Sequence, residues 1–231
     1  MILHARVGFY YAAGGGVLTG LALITSPFGL ILLWPAASVV LIAFGYWGRG
    51  ARVYGKREGR PALWARIVHG FTRQGHEVSR RIYARQCNAW DALLPGLLIG
   101  RQLDATEVED LRAEGVVAVL DLTAEFSEPK ALTELTYLNI PILDLTAPSE
   151  FELQTALSFI AGEMRKGKVY LHCKIGYSRT AAIAGCHLIQ AGHAKTPEEA
   201  MAMLRKVRPS IVIRPEAEAT IRRFPRPCHP S

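Results

Sequence analysis

Charged residues are absent from one long stretch near the start of the chain. No Asp, Glu, Lys or Arg occurs from Val7 to Gly48, a run that is too long for a single core helix. Thr25-Ser26-Pro27 interrupts this run and leaves about 18 and about 20 apolar residues on its two sides, each enough to cross a hydrocarbon core of roughly 30 Å. A cleaved signal peptide would have a shorter apolar core followed by a polar chain. The sequence therefore predicts two transmembrane helices that form a hairpin over residues 1–48.

Acidic residues are scarce in the segment that follows, the basic linker of residues 49–85. Ten Lys or Arg residues stand there against Glu58 and Glu77, and Arg6 precedes the first apolar helix. Basic residues beside membrane helices remain on the cytoplasmic side, so we expect a two-pass membrane protein whose N-terminus and remaining domain face the cytoplasm. The net charge of +7 comes from this linker, which indicates contact with anionic membrane lipids rather than with nucleic acid.

Apolar residues recur at helical spacing inside the basic linker, at Leu63, Trp64, Ile67, Val68 and Phe71. A helix that carries basic residues on its other faces suits the membrane interface. The alternative is a connecting helix that packs on the soluble domain. The spacing is compatible with both arrangements of residues 60–85.

Cysteine is rare, and its spacing excludes two classes of site. The four residues Cys87, Cys173, Cys186 and Cys228 fit neither a metal-binding pattern nor a disulfide framework. Free thiols agree with a reducing, cytoplasmic compartment. Internal repeats and low-complexity tracts are also absent from the sequence.

Residues 86–224 alternate between strand and helix patterns. Apolar strands are predicted at 96–100, 116–120, 135–140 and 168–172, and helix starts at Asp104, Ser149, Thr180, Thr196 and Pro215. The starts at Asp104 and Ser149 each have a Glu three residues later, as in a capping box. This alternation predicts one α/β domain around a mainly parallel central sheet flanked by helices. Residues 225–231 are predicted to be a disordered tail.

The strand at 168–172 runs into the sequence H-C-K-I-G-Y-S-R-T. Ligands of open α/β sheets bind beyond the carboxyl ends of the strands, and a helix that starts there attracts anions. The sequence thus predicts a phosphate cradle made of Lys174, Ile175, Gly176, Tyr177, Ser178 and Arg179. Cys173 at its base would be a thiolate nucleophile, whereas the alternative is a small buried hydrophobe that packs in the core.

The C-x5-R spacing, with His before it and Thr after it, resembles the signature of the cysteine-dependent protein tyrosine phosphatases, and most closely their dual-specificity class. The resemblance extends from about Asp91 to Phe224. It implies that Cys173 attacks phosphorus and that water then hydrolyses the phosphocysteine. It also implies that His172 orients the loop and that the Thr180 hydroxyl eases departure of the thiolate.

Such a mechanism needs a general acid. The class has an aspartate on a loop about thirty residues before its cysteine, and Asp144 in I-P-I-L-D-L-T-A-P occupies that place. Asp121 is the rival carboxylate, and we assign it a structural role because it directly ends a strand. Low-molecular-weight tyrosine phosphatases and arsenate reductases have an early loop and a later acid, whereas here the loop is late and the acid lies upstream, which argues against both. A sulfurtransferase or a Cdc25-like rhodanese fold is disfavoured by Ser178-Arg179-Thr180 and Asp144.

The substrate is indicated less directly. The stretches H-C-K-x-G-x-S-R-T, T-P-E-E-A and R-P-S-I-V-I-R-P resemble the mitochondrial-type branch of the class, whose members act on the lipid phosphatidylglycerophosphate. Lys174 would suit a second phosphate on a lipid headgroup, or is an ordinary solvated lysine; Tyr177 departs from that branch. A membrane-tethered protein phosphatase and a catalytically silent phosphate-binding module are the alternatives. The chemistry requires no metal or cofactor, because amides and Arg179 neutralise the phosphoryl charge.

Overall fold

The chain forms two compact units. The computed structural model describes residues 2–225, with side chains from residue 4 onward. The first unit comprises residues 1–81 and 124–127, and the second comprises residues 82–123 and 128–231. Apart from its first residue, the predicted tail 225–231 lies outside the described residues, as does Cys228.

A helical hairpin dominates the first unit. Helix α1 (Ile2–Ile24) is followed by a short 3-10 helix (Phe28–Leu32) and by α2 (Leu33–Phe44). The two helices pack closely at Gly15, where an added Cβ would lie 2.5 Å from a methyl group of Val40. The segments His4–Ile24 and Phe28–Tyr54 are both long and apolar enough to cross a membrane.

The rest of the first unit is built from short elements. A π turn (Gly45–Arg49) and a 3-10 helix (Gly50–Tyr54) lead to a two-stranded ribbon, β1 (Lys56–Arg57) and β2 (Arg60–Pro61). Two helices, α3 (Leu63–Val68) and α4 (Gly70–Ala84), follow. The predicted helix over this stretch is therefore interrupted at His69.

The second unit contains a five-stranded sheet, which confirms the predicted mainly parallel α/β domain. Its strands are β3 (Trp90–Leu94), β4 (Leu97–Arg101), β5 (Val116–Thr123), β6 (Thr136–Ile142) and β7 (Lys168–Cys173). The spatial order is β3-β4-β7-β5-β6. Only β3 runs antiparallel, and the sequence patterns missed it. Strand β7 is central and is apolar or buried along almost its whole length, as a strand covered on both faces should be.

Helices cover the sheet of the second unit. They are α5 (Val108–Ala113), α6 (Lys130–Thr133), α7 (Glu150–Glu163), α8 (Ser178–Gln190), α9 (Pro197–Val207) and α10 (Pro215–Arg223). One apolar core lies between the sheet and α7–α10, and a smaller one includes α5. The larger core contains Cys173, so the nucleophile predicted from sequence sits on a rigid support.

The helix N-termini in the structure can be compared with the caps predicted at Asp104, Ser149 and Thr196. Ser149 forms the complete capping box of α7 with Glu152, and the Thr196 hydroxyl accepts from the Glu199 amide at 3.1 Å. The predicted start at Asp104 is wrong: α5 begins at Val108. Glu107 does accept from the Asp104 amide at 3.0 Å, but the same carboxylate binds the Arg101 guanidinium at 2.7 Å, and this ion pair takes the place of a helical cap.

Candidate active site

The strand register brings the predicted site residues to one edge of the sheet. Cys173 is the last residue of β7 and pairs with Arg101 of β4, while His172 pairs with Asp121 of β5. Because parallel strands end at the same edge, their carboxyl ends form one rim. Helix α8 starts five residues after Cys173, at Ser178. The loop between them therefore lies at this rim, in front of a helix N-terminus.

Two donors outside the loop fix the direction of its peptide groups. The Lys174 carbonyl accepts from the Gln102 amide at 3.2 Å, and the Ile175 carbonyl accepts from the Arg208 guanidinium at 3.1 Å. In a planar trans peptide the N–H lies opposite to the C=O. The N–H groups of Ile175 and Gly176 are therefore turned to the inner side of the loop. Successive N–H groups turned one way form an anion-binding nest.

Gly176 is required by the shape of this loop. Its φ is +72°, and a Cβ at this position would lie 2.4 Å from the Gly100 carbonyl oxygen. Both observations exclude a side chain, since the left-handed region favours glycine and backbone atoms of β4 fill the space. The glycine thus lets the loop close against the sheet.

Arg179 extends from the first turn of α8 to the ends of two strands. Its side chain is buried, and one Nη donates to the Ile142 carbonyl at 2.9 Å and lies 3.4 Å from the Leu122 carbonyl. The other Nη lies 3.7 Å from Oδ1 of Asp144, whose side chain is 53 % exposed. The predicted phosphate-binding guanidinium of Arg179 is therefore buried, and the predicted acid Asp144 lies close to it with a solvent-accessible carboxyl group.

His172 and Thr180, which precede and follow the loop in sequence, are fully buried. The His172 ring stacks on Tyr170 with centroids 5.1 Å apart, and its Nε2 lies 3.5 Å from Glu128 and 3.9 Å from Asp121. The Thr180 hydroxyl has no hydrogen-bond partner within the described part of the chain. Thr180 is thus a buried hydroxyl in the first turn of α8, directly after Arg179.

Asp121 is a hydrogen-bond acceptor within the sheet. One of its oxygens accepts from the amide and the hydroxyl of Thr123, both at 2.7 Å, and the other accepts from the Tyr137 hydroxyl at 2.6 Å. Burial, with the Asp121 charge second, raises the pKa of Tyr137. These contacts favour the structural role that the sequence suggested for Asp121.

Among the described residues, Asp121, Glu128 and His172 form the group whose side-chain ligand atoms come close enough for a metal ion, within 4.8 Å of one another. The oxygens of Asp121 already accept three hydrogen bonds, and Glu128 accepts from Gln102 at 2.9 Å. The group therefore has the character of a buried hydrogen-bond network that surrounds His172.

The remaining predicted cradle residues differ in their surroundings. The Ser178 hydroxyl is buried; it accepts from the Arg214 amide at 3.2 Å and donates to Glu216 at 3.3 Å. Lys174 and Tyr177 are half-buried. Burial, followed by the nearby Cys87, raises the pKa of the Tyr177 phenol. Ser178 thus anchors the following segment of the domain, while Tyr177 and Lys174 border the opening.

Arg208 was missed as a site residue. It is fully buried, forms an ion pair with Asp91, and donates to the carbonyls of Asn88 at 3.0 Å and of Ile175 at 3.1 Å. The available signal was its place at the start of R-P-S-I-V-I-R-P, but nothing in the local pattern indicates that its partners lie in β3 and in the cradle. Cys87, Cys173 and Cys186 have free thiols, as expected.

Comparison with known proteins agrees with this geometry. The family model of the dual specificity phosphatase catalytic domain matches residues 97–226. The phosphatidylglycerophosphate phosphatase PTPMT2 of Arabidopsis thaliana is 31% identical over 144 residues, which are 59% of this chain and 63% of the plant protein. The human phosphatidylglycerophosphatase and protein-tyrosine phosphatase 1 is 32% identical over 140 residues, covering 57% and 69% of the two chains.

Solved structures share the fold. The crystal structure of PTPMT1 in complex with PI(5)P has a TM-score of 0.54 at 22% identity and covers 59% of this chain and 94% of that one. Tk-PTP in its active form gives a TM-score of 0.54 at 24% identity, covering 59% and 96%. The chain spans less than two thirds of its first two plant relatives, 63% and 39% of their lengths. Its second unit carries the catalytic domain of a cysteine-dependent phosphatase, and the chain belongs to the dual specificity phosphatase family.

Proposed function

We propose that the protein hydrolyses phosphate monoesters through a phosphocysteine intermediate. The observation that carries this proposal is the approach of Arg179 to Asp144, 3.7 Å apart, at the edge of the sheet where β7 ends at Cys173. The fork of Arg179 is suited to two phosphoryl oxygens, and the inward N–H groups of Ile175 and Gly176 are suited to the others. A silent phosphate-binding module would need none of the acid–base groups.

The first step transfers the phosphoryl group to sulfur. The thiolate of Cys173 attacks phosphorus while the P–O bond to the leaving group breaks, and Asp144, protonated, gives its proton to the leaving oxygen. Arg179 and the loop amides stabilise the charge on the transferred oxygens. The product alcohol leaves, and a phosphocysteine, in which a P–S bond joins the phosphoryl group to Cys173, remains.

The second step returns the enzyme to its starting state. Water attacks phosphorus and loses a proton to the Asp144 carboxylate, and the P–S bond breaks with its electron pair on sulfur. The Thr180 hydroxyl, buried in the first turn of α8, would donate to the departing thiolate. His172, held between Tyr170 and Glu128, would orient the strand end that presents Cys173. Inorganic phosphate then leaves.

A phospholipid headgroup such as phosphatidylglycerophosphate is the substrate that we propose. Relatives with this activity in their names match the second unit, and a related structure contains PI(5)P. The apolar hairpin supports the same choice, because tethering an enzyme to a bilayer raises the concentration of a lipid substrate at its site. Lys174, half-buried at the opening, would bind the second phosphate of such a lipid.

Membrane anchoring through the hairpin belongs to the proposal, with anionic lipids as partners. The basic residues on both sides of the apolar stretch support an arrangement in which the N-terminus and the phosphatase domain share the cytoplasmic face. This holds for a two-pass hairpin and equally for a hairpin that enters the bilayer from one side.

A membrane-tethered protein phosphatase is the second candidate. Mouse dual specificity protein phosphatase 19 is 34% identical over 123 residues, which is as similar as the lipid phosphatases. Tyr177 at the opening would then stack on an aromatic phosphorylated side chain.

A substrate panel tests the proposal on the full-length protein in detergent. Phosphatidylglycerophosphate, phosphoinositides, phosphopeptides and nucleotides are compared, with Cys173→Ser as blank. We expect the highest kcat/KM for phosphatidylglycerophosphate and no turnover by Cys173→Ser, which should still bind phosphate. Activity in the Cys173→Ser protein would overturn the nucleophile assignment, and a preference for phosphopeptides would favour the second candidate.

A further inference from the structure

Three polar contacts join α2 to the elbow between α3 and α4. Ser38, fully buried in α2, lies 2.8 Å from Nδ1 of His69 and 2.8 Å from the Thr72 hydroxyl. Trp34, one turn earlier, donates its indole N–H to the Ile67 carbonyl at 2.7 Å. The elbow therefore lies beside the central part of the apolar hairpin.

The His69 ring also holds Val53, near the end of the apolar segment Phe28–Tyr54, beside Ser38. Its Nε2 lies 2.9 Å from the Val53 carbonyl, which can only accept, so Nε2 carries the hydrogen and Nδ1 accepts from Ser38. Burial lowers the pKa of His69 and keeps this neutral form. Val53 and Ser38 are thus held on opposite edges of one imidazole, although 15 residues separate them in sequence.

Charged side chains accompany these elements. Arg52 and Arg66 are exposed, and Arg73 is half-buried one residue after Thr72. A hairpin that crossed the bilayer would place Ser38 near the midplane, and these arginines would then stand in hydrocarbon. Arginine is among the most costly residues at that depth. Leaving aromatic residues such as Phe9 and Trp47 in the interface or in water costs less, the more so because their rings contact each other at 5.4 Å.

The tip of the hairpin has the opposite character. No charged residue occurs from Thr19 to Val53 except Arg49 and Arg52, and the exposed side chains of the tip are large and apolar: Leu23, Ile24, Phe28, Leu30 and Ile31. Phe28 is 90 % exposed. At 1.5 Å per residue, the distance from Ser38 to Phe28 is about 15 Å, half of a hydrocarbon core of roughly 30 Å.

Helix α3 and the start of α4 add an apolar surface at the level of Trp34. Leu63 and Ile67 of α3 and Phe71 of α4 are more than half exposed, and Arg60, Arg66 and Arg73 alternate with them in the sequence. Tryptophan is enriched at the boundary between lipid and water. An apolar strip bordered by arginines fits the headgroup region of an anionic leaflet.

We propose that the hairpin enters one leaflet of an anionic phospholipid bilayer from the cytoplasmic side and does not cross it. Residues from about 19 to 34 lie in the hydrocarbon, and α3 lies along the interface, fixed by Ser38, His69 and Trp34. This inference rests on the membrane anchoring of the proposed function. It replaces the two-pass arrangement that segment length alone predicted.

Cysteine labelling in sealed vesicles of phosphatidylcholine and phosphatidylglycerol tests this arrangement. The four native cysteines are replaced (Cys87→Ala, Cys173→Ser, Cys186→Ala, Cys228→Ser), and cooperative thermal unfolding checks the fold. Ser26→Cys then places one thiol at the tip, and Gln74→Cys places one on the exposed surface of α4 as the control. A membrane-impermeant maleimide is added outside the vesicles or trapped inside them.

We expect Ser26→Cys to react at least about tenfold more slowly than Gln74→Cys with reagent on either side, because the reactive thiolate does not form in hydrocarbon. Both should react fully after denaturation in detergent. Reaction of Ser26→Cys from the side opposite to Gln74→Cys would show a crossing hairpin, and equal reaction from the same side would show a tip in water. Either result overturns the inference. Failure of the protein to float with the vesicles would instead overturn the membrane anchoring itself.

Discussion

The guanidinium of Arg208 donates to the Ile175 carbonyl at 3.1 Å across 33 residues of sequence. Through this bond the segment after α9 holds the phosphate cradle in the orientation that turns the Ile175 and Gly176 amides inward. The same guanidinium forms an ion pair with Asp91 in β3 and donates to the carbonyl of Asn88, just before β3. The cradle, the edge strand and the last loop of the domain thus share one buried cation.

Replacing Arg208 should separate stability from phosphate binding. Arg208→Met leaves Asp91 without its buried partner, and we expect a loss of about 3–5 kcal/mol in the free energy of unfolding. Arg208→Lys retains the charge beside Asp91 but lacks the planar fork, so it should be more stable than Arg208→Met and still bind phosphate more weakly. Denaturant unfolding and phosphate titration measure both effects. Arg205→Met, on the exposed side of α9, is the control; equal phosphate affinity in Arg208→Lys and wild type would refute the link to the cradle.

Replacing Asp144 should make the rate depend on the leaving group. We expect Asp144→Asn to lower kcat by about 10²–10⁴ for alkyl phosphates, which need a proton at the departing oxygen, and far less for activated aryl phosphates. Asp121→Asn is the contrast, because its amide keeps one acceptor oxygen and cannot accept from both Thr123 and Tyr137, which should lower stability without such selectivity. Steady-state kinetics on both substrate classes decides; a uniform loss in Asp144→Asn would remove it as the acid.

Gly192, which follows α8, is a matched control for Gly176 in the phosphate cradle. Both have positive φ, +72° and +74°, but a Cβ would lie 2.4 Å from the Gly100 carbonyl at Gly176 and would meet nothing within 4 Å at Gly192. Gly192→Ala should therefore cost only backbone strain, about 1 kcal/mol. Gly176→Ala should cost more and should also abolish phosphate binding, since the loop must open. Denaturant unfolding and phosphate titration measure both effects. Equal stability and equal phosphate affinity in the two variants would disprove this reasoning.

His187 should make the domain sensitive to acid. It is 4 % exposed in α8, and burial, with His193 second, lowers its pKa to about 4. The unfolded chain, with a pKa of about 6.5, binds the proton first, so stability should fall as pH drops below about 6.5 and reach its full loss below about 4. The difference corresponds to about 3 kcal/mol. His187→Leu should flatten this part of the stability curve in denaturant unfolding at several pH values; an unchanged slope would assign it to other groups.

The local parts of the site could be predicted from the sequence, because each is encoded in a few adjacent residues. The strand that carries Cys173, the turn at Gly176 and the following helix are adjacent in the chain, although that helix begins at Ser178 and not at the predicted Thr180, and the capping box at Ser149 is likewise local. Arg208 and Glu128 could not be found in this way. Their importance comes from partners that only the strand order brings close, and β3 itself is visible only once it pairs with β4.

The hairpin also has contacts that local sequence patterns do not contain. Length and composition predicted two spans because they measure each segment separately. The contacts of Ser38 with His69 and Thr72 depend on how the chain folds back after Gly48, where φ is +131°, and no hydropathy average contains them. At Asp104 the local pattern was wrong, because Glu107 binds the Arg101 guanidinium as well as the Asp104 amide and α5 begins only at Val108.

The central position of β7 has a consequence for how the enzyme fails. Its amides bond to parallel neighbours on both sides, so they should exchange with deuterium only through the largest opening of the domain. Cys173 is carried by that last-opening strand, whereas Asp144 stands on an exposed turn. We therefore expect gentle heating to weaken acid catalysis by loosening the turn that carries Asp144 before the strand that carries Cys173 opens.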